Sequence, residues 1–197
     1  MTATYEVRQV DKRRGDEKAF MRLLWDLYRG DPNWVPPLIQ SQQELVGFRY
    51  HPFYDRNPHA NFIAFKDGQP VGRITALVNR GHNERFEEKR GFFGFFESID
   101  DPEVSNRLFT EACRYLVGQG MTDARGPCNP GLNYELGLLV DGFDSPPTFL
   151  MTYNPRYYER LICEFGFEKS QDLYAFEGHI SMIANLDPKL AFVIQEI

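Results

Sequence analysis

Residues 61–79, "NFIAFKDGQPVGRITALVN", restrict the fold more than any other stretch of the chain. Two strand-like runs flank Asp67-Gly68, the dipeptide that most readily supplies the positive φ angles of a two-residue turn, so the segment reads as a β-hairpin. The chain must therefore build a sheet. "TYEVRQV" alternates and is rich in strand formers, which predicts a first strand over residues 4–10. From Asp16 onward, Ala19, Phe20, Leu23, Leu24, Leu27 and Tyr28 recur at helical spacing until Gly30 and Pro32 stop the run. "DPNWVPPL" reads as an extended loop, because its prolines remove donors and exclude helix, and a short helix over 38–46 follows.

Beyond the hairpin, "NERFEEKR" at 83–90 mixes both charge signs and reads as a solvated loop. Residues 91–98 form the next strand, and Val104, Leu108, Ala112, Tyr115 and Leu116 mark a helix ending near Gly118 and Gly120. "DARGPC" is a short strand, and "NPGLNYELGLLVDGFDSPP" reads as loops with a brief hairpin. "TFLMTY" reads as strand. "NPRYYERLICEFG" reads as a helix with Asn154 as N-cap, Pro155 at its first position and Gly166 as stop; Tyr158, Leu161, Ile162 and Phe165 share one face. "FEKSQDLYAFE" supplies a closing strand. This order gives an α/β or α+β domain around a single mixed sheet.

Composition bears on function chiefly by exclusion. A formal net charge of -6 lacks the basic footprint that phosphate neutralisation needs, so a nucleic-acid partner is not expected. The 17 Phe and 10 Tyr allow a large apolar cleft, a partner-facing surface or simply a Phe-rich core. Cys113, Cys128 and Cys163 form no CxxC pair and read as core thiols. His51, His59, His82 and His179 lack metal-ligand spacing, so no metal is expected. With no apolar signal core at the N-terminus and no window near the ~18 apolar residues of a membrane span, the expected location is the cytoplasm.

Residues 1–178 read as one domain and 179–197 as a linker leading into a helix. Leu190, Phe192, Val193, Ile194 and Ile197 begin a helical pattern that has no capping glycine or polar finish. Three readings fit it: the natural protein continues into a second domain, the helix docks on a partner or a second copy, or the terminus frays.

The element order, the "DG…VG" hairpin and "YNPRYYERLICEFGF" together resemble the GNAT superfamily of acyl-CoA-dependent N-acyltransferases. The resemblance covers residues 4–177. The combination of "GFFGFFES…DD", "GP-x-NP", "LVDGF-x-x-PP" and "YNP-x-YY" is similar, more narrowly, to bacterial proteins that join two GNAT-like domains in one chain. It implies a mixed, mostly antiparallel central sheet with helices on both faces, and acyl-CoA as co-substrate held in a splayed gap between 91–98 and 123–128. The acceptor would be a small-molecule or lipid amine, a sphingoid base in some similar proteins. Phe95, Phe96, Ser98 and Arg107 would then lie along the donor, with no metal required.

In that superfamily the turn after the aromatic strand carries glycines that let backbone amides approach the coenzyme diphosphate. This chain has "SIDDPEVSNRL" instead. Asp101 is placed to cap the helix, with Pro102 and Glu103 in its first turn, and Arg107 is placed to pair with Glu103 at i, i+4. A diphosphate is not expected at this turn, so the domain either takes its donor differently or is a degenerate module bracing an active twin.

For catalysis, Glu97 closes the aromatic strand where the resemblance implies a carboxylate base. Between Phe95 and Phe96 its pKa should rise by desolvation; otherwise it is a solvated strand end. The superfamily's usual acid position is occupied here by Ile162. Tyr158, on the apolar face, is a candidate acid or a core residue, and Asn154 a candidate site residue or a cap. Asn133, Tyr134, Glu135 and Asp141 sit on a loop that could line a cleft.

Overall fold

A computed structural model describes residues 2–176. The sheet has five strands in the order β1 (Tyr5–Gln9), β2 (His59–Lys66), β3 (Gln69–Leu77), β4 (Arg90–Ser98) and β5 (Asp123–Arg125). The first four are antiparallel and β5 runs parallel to β4, pairing only with residues 90–92. The β2–β3 turn is built as the sequence predicts, with Asp67 at φ 51° and Gly68 at φ 78°.

Helix α1 (Asp16–Leu27) covers one face, and α2 (Ile39–Leu45) packs beside it. Phe20 and Met21 of α1 meet Ile63 of β2 and Phe95 of β4 there. Helix α4 (Pro102–Gly118) covers the opposite face with α5 (Tyr158–Phe165) alongside. Its stripe of Val104, Leu108, Phe109, Ala112 and Leu116 is fully removed from water against Ile74, Phe93 and Phe96. Each large apolar side chain so buried contributes about 1.5–3 kcal/mol. Between the hairpin and β4 lies α3 (Arg80–Phe86), and β6 (Cys128–Asn129) with β7 (Glu135–Leu136) forms a separate two-stranded ribbon. No helix among the described residues is long and apolar enough to cross a membrane.

Several expectations need correction. The run 83–90 is not a loop throughout: the Asn79 side chain accepts from the His82 amide and starts α3, and Glu87 in the left-handed region (φ 54°) ends it. "DARGPC" divides into β5 and β6, because Pro127 has no N–H to continue the ladder. "TFLMTY" forms no strand: its Thr152 hydroxyl donates to the Gly137 carbonyl (3.1 Å), and the Asn154 side chain that follows it brackets the backbone of Leu139. Asn154 is therefore not an N-cap, and α5 begins at Tyr158 without a side-chain cap. The closing strand is absent over 167–176: Phe167 folds back against Phe93 and Phe109, and the residues after it are exposed and form no strand. Cys128 is a core thiol, but Cys163 is exposed. The terminal helix expected over 187–197 lies outside the described residues.

Candidate active site

Strict alternation along β4 from Phe93, which packs under α4, would put residue 97 on the α4 face. A bulge prevents this. Between the pairs Thr75–Gly94 and Arg73–Glu97, two residues of β4 stand opposite one of β3, and Phe95 takes φ 49°. A non-glycine residue there costs about 1–3 kcal/mol. The extra residue reverses the parity, so Phe95 and Glu97 both look toward α1. Close approach at the bulge also needs Gly94, whose Cβ would collide with the Cys128 carbonyl.

The Glu97 side chain consequently lies in a buried polar cluster. Its Oε2 accepts from the hydroxyls of Tyr158 (2.7 Å) and Tyr28 (3.0 Å), and its Oε1 lies 3.8 Å from Nη2 of Arg73. Glu97 is 9% exposed and Arg73 only 1%. Arg73 donates from Nη1 to the Phe20 carbonyl (2.9 Å) and stacks over the Phe20 ring, but its Nε has no partner among the described residues. Burial raises the Glu97 carboxyl to about 6 against the pull of Arg73 and both tyrosine hydrogen bonds. Burial likewise lowers Arg73 and raises both tyrosines, which the nearby carboxylate raises further. Desolvation thus outweighs an attraction acting across 3.8 Å, as is common for incompletely hydrogen-bonded buried pairs.

Past residue 92 no strand among the described residues covers the outer edge of β4, and side chains satisfy it instead. The Phe95 amide donates to Oδ1 of Asn129 (2.6 Å), the Ser98 amide to the Tyr158 hydroxyl (2.9 Å), and the Tyr157 hydroxyl donates to the Ser98 carbonyl (2.7 Å). These groups lie along β4 beyond its pairing with β5, and residues 126–128 pack closely against Phe93 and Gly94. Above the cluster, the Tyr28 ring stacks on Trp34 (5.0 Å, 8°).

At the β4–α4 turn, Asp101 caps α4 as expected, Oδ1 accepting the Glu103 amide (3.0 Å) while Oδ2 accepts from Lys66 (2.7 Å) and the Tyr5 hydroxyl (3.0 Å). Glu103 pairs with Arg107 (2.6 Å) and Asp100 with Arg160. The turn is a closed set of three acids and three bases. A coenzyme diphosphate does not fit it as it stands, because each cation there already has a carboxylate.

Of the residues singled out in the sequence, the fold brings together Glu97, Tyr158 and the Ser98 amide. Phe95 lies beside them toward α1, whereas Phe96 stacks on Phe109 (4.6 Å) in the core. Arg107 is held away by Glu103, and Asn154 reaches the cluster only through its neighbour Tyr153, whose carbonyl is 3.5 Å from the Tyr28 hydroxyl. Asn133, Glu135 and Asp141 are exposed, and the Tyr134 hydroxyl faces His51 (3.4 Å). The sequence reading missed Tyr28, Arg73, Asn129 and Tyr157. Arg73 left a signal, a lone charge inside the apolar run "VGRITALV"; the bulge that aims Glu97 at it left none.

Two curated relatives align with most of the chain. Protein YghO of Escherichia coli (strain K12) is 39% identical over 163 residues, 83% of this chain and 42% of that protein. A bacterial ceramide synthase of Caulobacter vibrioides (strain NA1000 / CB15N) is 38% identical over 162 residues, 82% of this chain and 42% of that protein. The chain spans about two fifths of the length of the curated relatives it matches. No protein-family model matches. Among solved structures, AAC(6')-Iy in complex with a CoA-linked bisubstrate analogue superimposes with a TM-score of 0.53 at 14% identity, covering 89% of this chain and 99% of that one. An aminoglycoside acetyltransferase from an uncultured soil metagenomic sample gives 0.52 at 10% identity, covering 89% and 96%. At such identities the likeness is one of fold.

Proposed function

Because this chain has the GNAT fold, we propose that it is an N-acyltransferase domain that joins an acyl group from a thioester donor to a lipid amine of the sphingoid-base class. The observation that carries this reading is Glu97. It is a buried carboxyl with a pKa of about 6, held by two tyrosines and an arginine at the bulge of β4. The likeness to a ceramide synthase over 82% of the chain supports the acceptor class, since a ceramide is the amide of a fatty acid and a sphingoid base.

The chemistry asks little beyond positioning and proton transfer. The acceptor arrives as an ammonium without a lone pair. Glu97, ionised above pH 6, takes one proton; the freed amine attacks the thioester carbonyl, a C–N bond forms and the C–S bond breaks. The proton then lost from nitrogen leaves with the thiolate as a thiol. Tyr28 and Tyr158 hold the carboxylate in place, and Arg73 keeps its pKa from rising further. The donor supplies the activated carbonyl. Its diphosphate, if it is a coenzyme A ester, binds somewhere other than residues 99–104.

The test is amide formation by the full protein from palmitoyl-CoA, or an acylated carrier protein, and a sphingoid base. Glu97→Gln should lower kcat/KM about 10²–10⁴-fold without unfolding the protein, the usual worth of a general base. An unchanged rate in that variant would remove Glu97 from the chemistry. A second reading rests on a different observation, that the chain's own groups fill both the β4 edge and the β4–α4 turn. It makes the domain a non-catalytic module bracing a second acyltransferase domain or subunit. Under it, neither donor raises the melting temperature and Glu97→Gln leaves activity intact.

A further inference from the structure

Glu135 is a carboxylate beside the Glu97 cluster that the chemistry above leaves unused. It stands on β7 in register with Asn129 of β6, and this ribbon is pressed against the bulge of β4, where the Cys128 carbonyl abuts Gly94. The Asn129 side chain joins the two: Oδ1 accepts the Phe95 amide (2.6 Å), and Nδ2 donates to Oε2 of Glu135 (3.4 Å). Glu135 is thus carried to the bulge that aims Glu97. Burial is what chiefly raises the Glu97 carboxyl, and the Glu135 charge adds to it, while Arg73 pulls both carboxyls down.

Glu135 itself is short of a cation. Although water reaches the residue, the protein around its carboxyl raises it against the Asn129 hydrogen bond and the pull of Arg73, and no lysine or arginine pairs with it among the described residues. The ionised Glu97 and Arg73 cancel as a pair. The three groups together carry one net negative charge, which Glu135 presents on the solvent side, where a cation can enter.

Arg73 lacks a different kind of partner. Its Nη1 is turned to the Phe20 carbonyl, which leaves the fork of Nε and Nη2 on the Glu97 side. At 1% exposure Nε has no partner among the described residues, and Nη2 stands 3.8 Å from Oε1, beyond hydrogen-bond length. Both tyrosines bond Oε2, so Oε1 accepts no hydrogen bond among the described residues. An open buried fork costs free energy until an acceptor fills it, and a neutral oxygen can do so without displacing Glu97.

We propose that Glu135, Oε1 of Glu97 and the Arg73 fork form a head-group subsite for a vicinal amino alcohol, with the ammonium between the two carboxylates and the neighbouring hydroxyl oxygen on Arg73. Glu135 holds the ammonium as it enters from solvent and leaves Glu97 as the proton acceptor. Calling the bound amine the acceptor rests on the acyl-transfer reading; the binding does not.

The test is an NMR titration of the full protein, with no thioester present, using leucinol, isopentylamine, which lacks its hydroxymethyl group, and isohexanol, which lacks its ammonium. Leucinol should bind at least about tenfold more tightly than either, because each missing group leaves a charged side chain without its partner. Glu135→Gln changes an exposed residue and should weaken leucinol about tenfold at an unchanged melting temperature, with isohexanol unaffected. It should also move the Glu97 titration, read from the carboxyl carbon resonance, to lower pH, a shift that a merely structural Glu135 would not produce. The subsite is overturned by no leucinol binding, by leucinol binding no tighter than either analogue, by indifference to Glu135→Gln, or by an unmoved Glu97 titration. Amide synthesis that keeps its KM for the amine in Glu135→Gln would likewise end the subsite and leave acyl transfer standing. Leucinol binding as described in a protein that makes no amide would keep the subsite and remove acyl transfer as its purpose.

Discussion

The Glu97 carboxyl should leave a measurable mark on stability, with a sign opposite to that of most carboxylates. It holds its proton to about pH 6 in the folded protein against an ordinary 4.5, so the folded state binds more protons than the unfolded chain in the interval between. Below about pH 4.5 the group is neutral in both states and nothing is lost; above about pH 6 it is ionised in both, and the folded state carries the whole cost of a poorly solvated charge, about 2 kcal/mol. Stability therefore falls as pH rises through the window. Glu97→Gln releases no proton, and subtracting its unfolding free energy from that of the wild type cancels the other carboxyls. In urea titrations between about pH 4.5 and pH 7.5 this difference should move against the wild type by about 2 kcal/mol. A flat difference would mean that Glu97 is solvated, and a shift in favour of the wild type would mean that the Arg73 pairing dominates. Either result refutes burial as the cause.

Tyr158→Phe removes the donor to Oε2 of Glu97 and the acceptor of the Ser98 amide together, so a loss of about 1–3 kcal/mol is expected in the same urea assay. The carboxyl should then rise further, moving the acidic limb of the pH–rate profile to higher pH. Asp100→Asn/Glu103→Gln unpairs Arg107 and relieves Arg160 of one of its two carboxylates while keeping Asp101 as cap. By calorimetry this variant should bind coenzyme A about tenfold more tightly, and no gain would show that pairing is not what keeps a diphosphate from the turn.

Much of the frame was legible because it depends on local chemistry. Asp67-Gly68 sets its turn wherever the strands lie, the α1 and α4 stripes follow the 3.6-residue period, and Asp101-Pro102 caps α4 as those residue types do elsewhere. The failures over 148–154 share one cause, long-range competition for polar groups. Asn154-Pro155 has every mark of a helix start, but Leu139 claims the Asn154 side chain and the helix begins later. "TFLMTY" has strand propensity but pairs with no strand among the described residues. The site divides the same way: Glu97 is legible as a candidate from its place at the end of the aromatic strand, whereas its burial, its contact with Tyr28 69 residues away and the bulge joining them are set by packing between elements.

The two features that argue against an ordinary coenzyme A site differ in strength. At the β4 edge, Asn129, Tyr157 and Tyr158 satisfy backbone groups through neutral hydrogen bonds, and a ligand amide replacing one would exchange like for like at a net cost near ~0–1 kcal/mol. On the proposed reading, an acyl arm would displace Asn129 and take the Phe95 amide that the bulge presents. At the β4–α4 turn a diphosphate would instead compete with three carboxylates for Lys66, Arg107 and Arg160, and each carboxylate it displaced would stay nearby as a like charge costing about 1 kcal/mol. The edge is therefore a replaceable stopper and the turn a lasting barrier. Under the proposed acyltransferase reading, a donor would carry its phosphate away from residues 99–104, and the acyl thioester alone would need to reach β4 and Glu97.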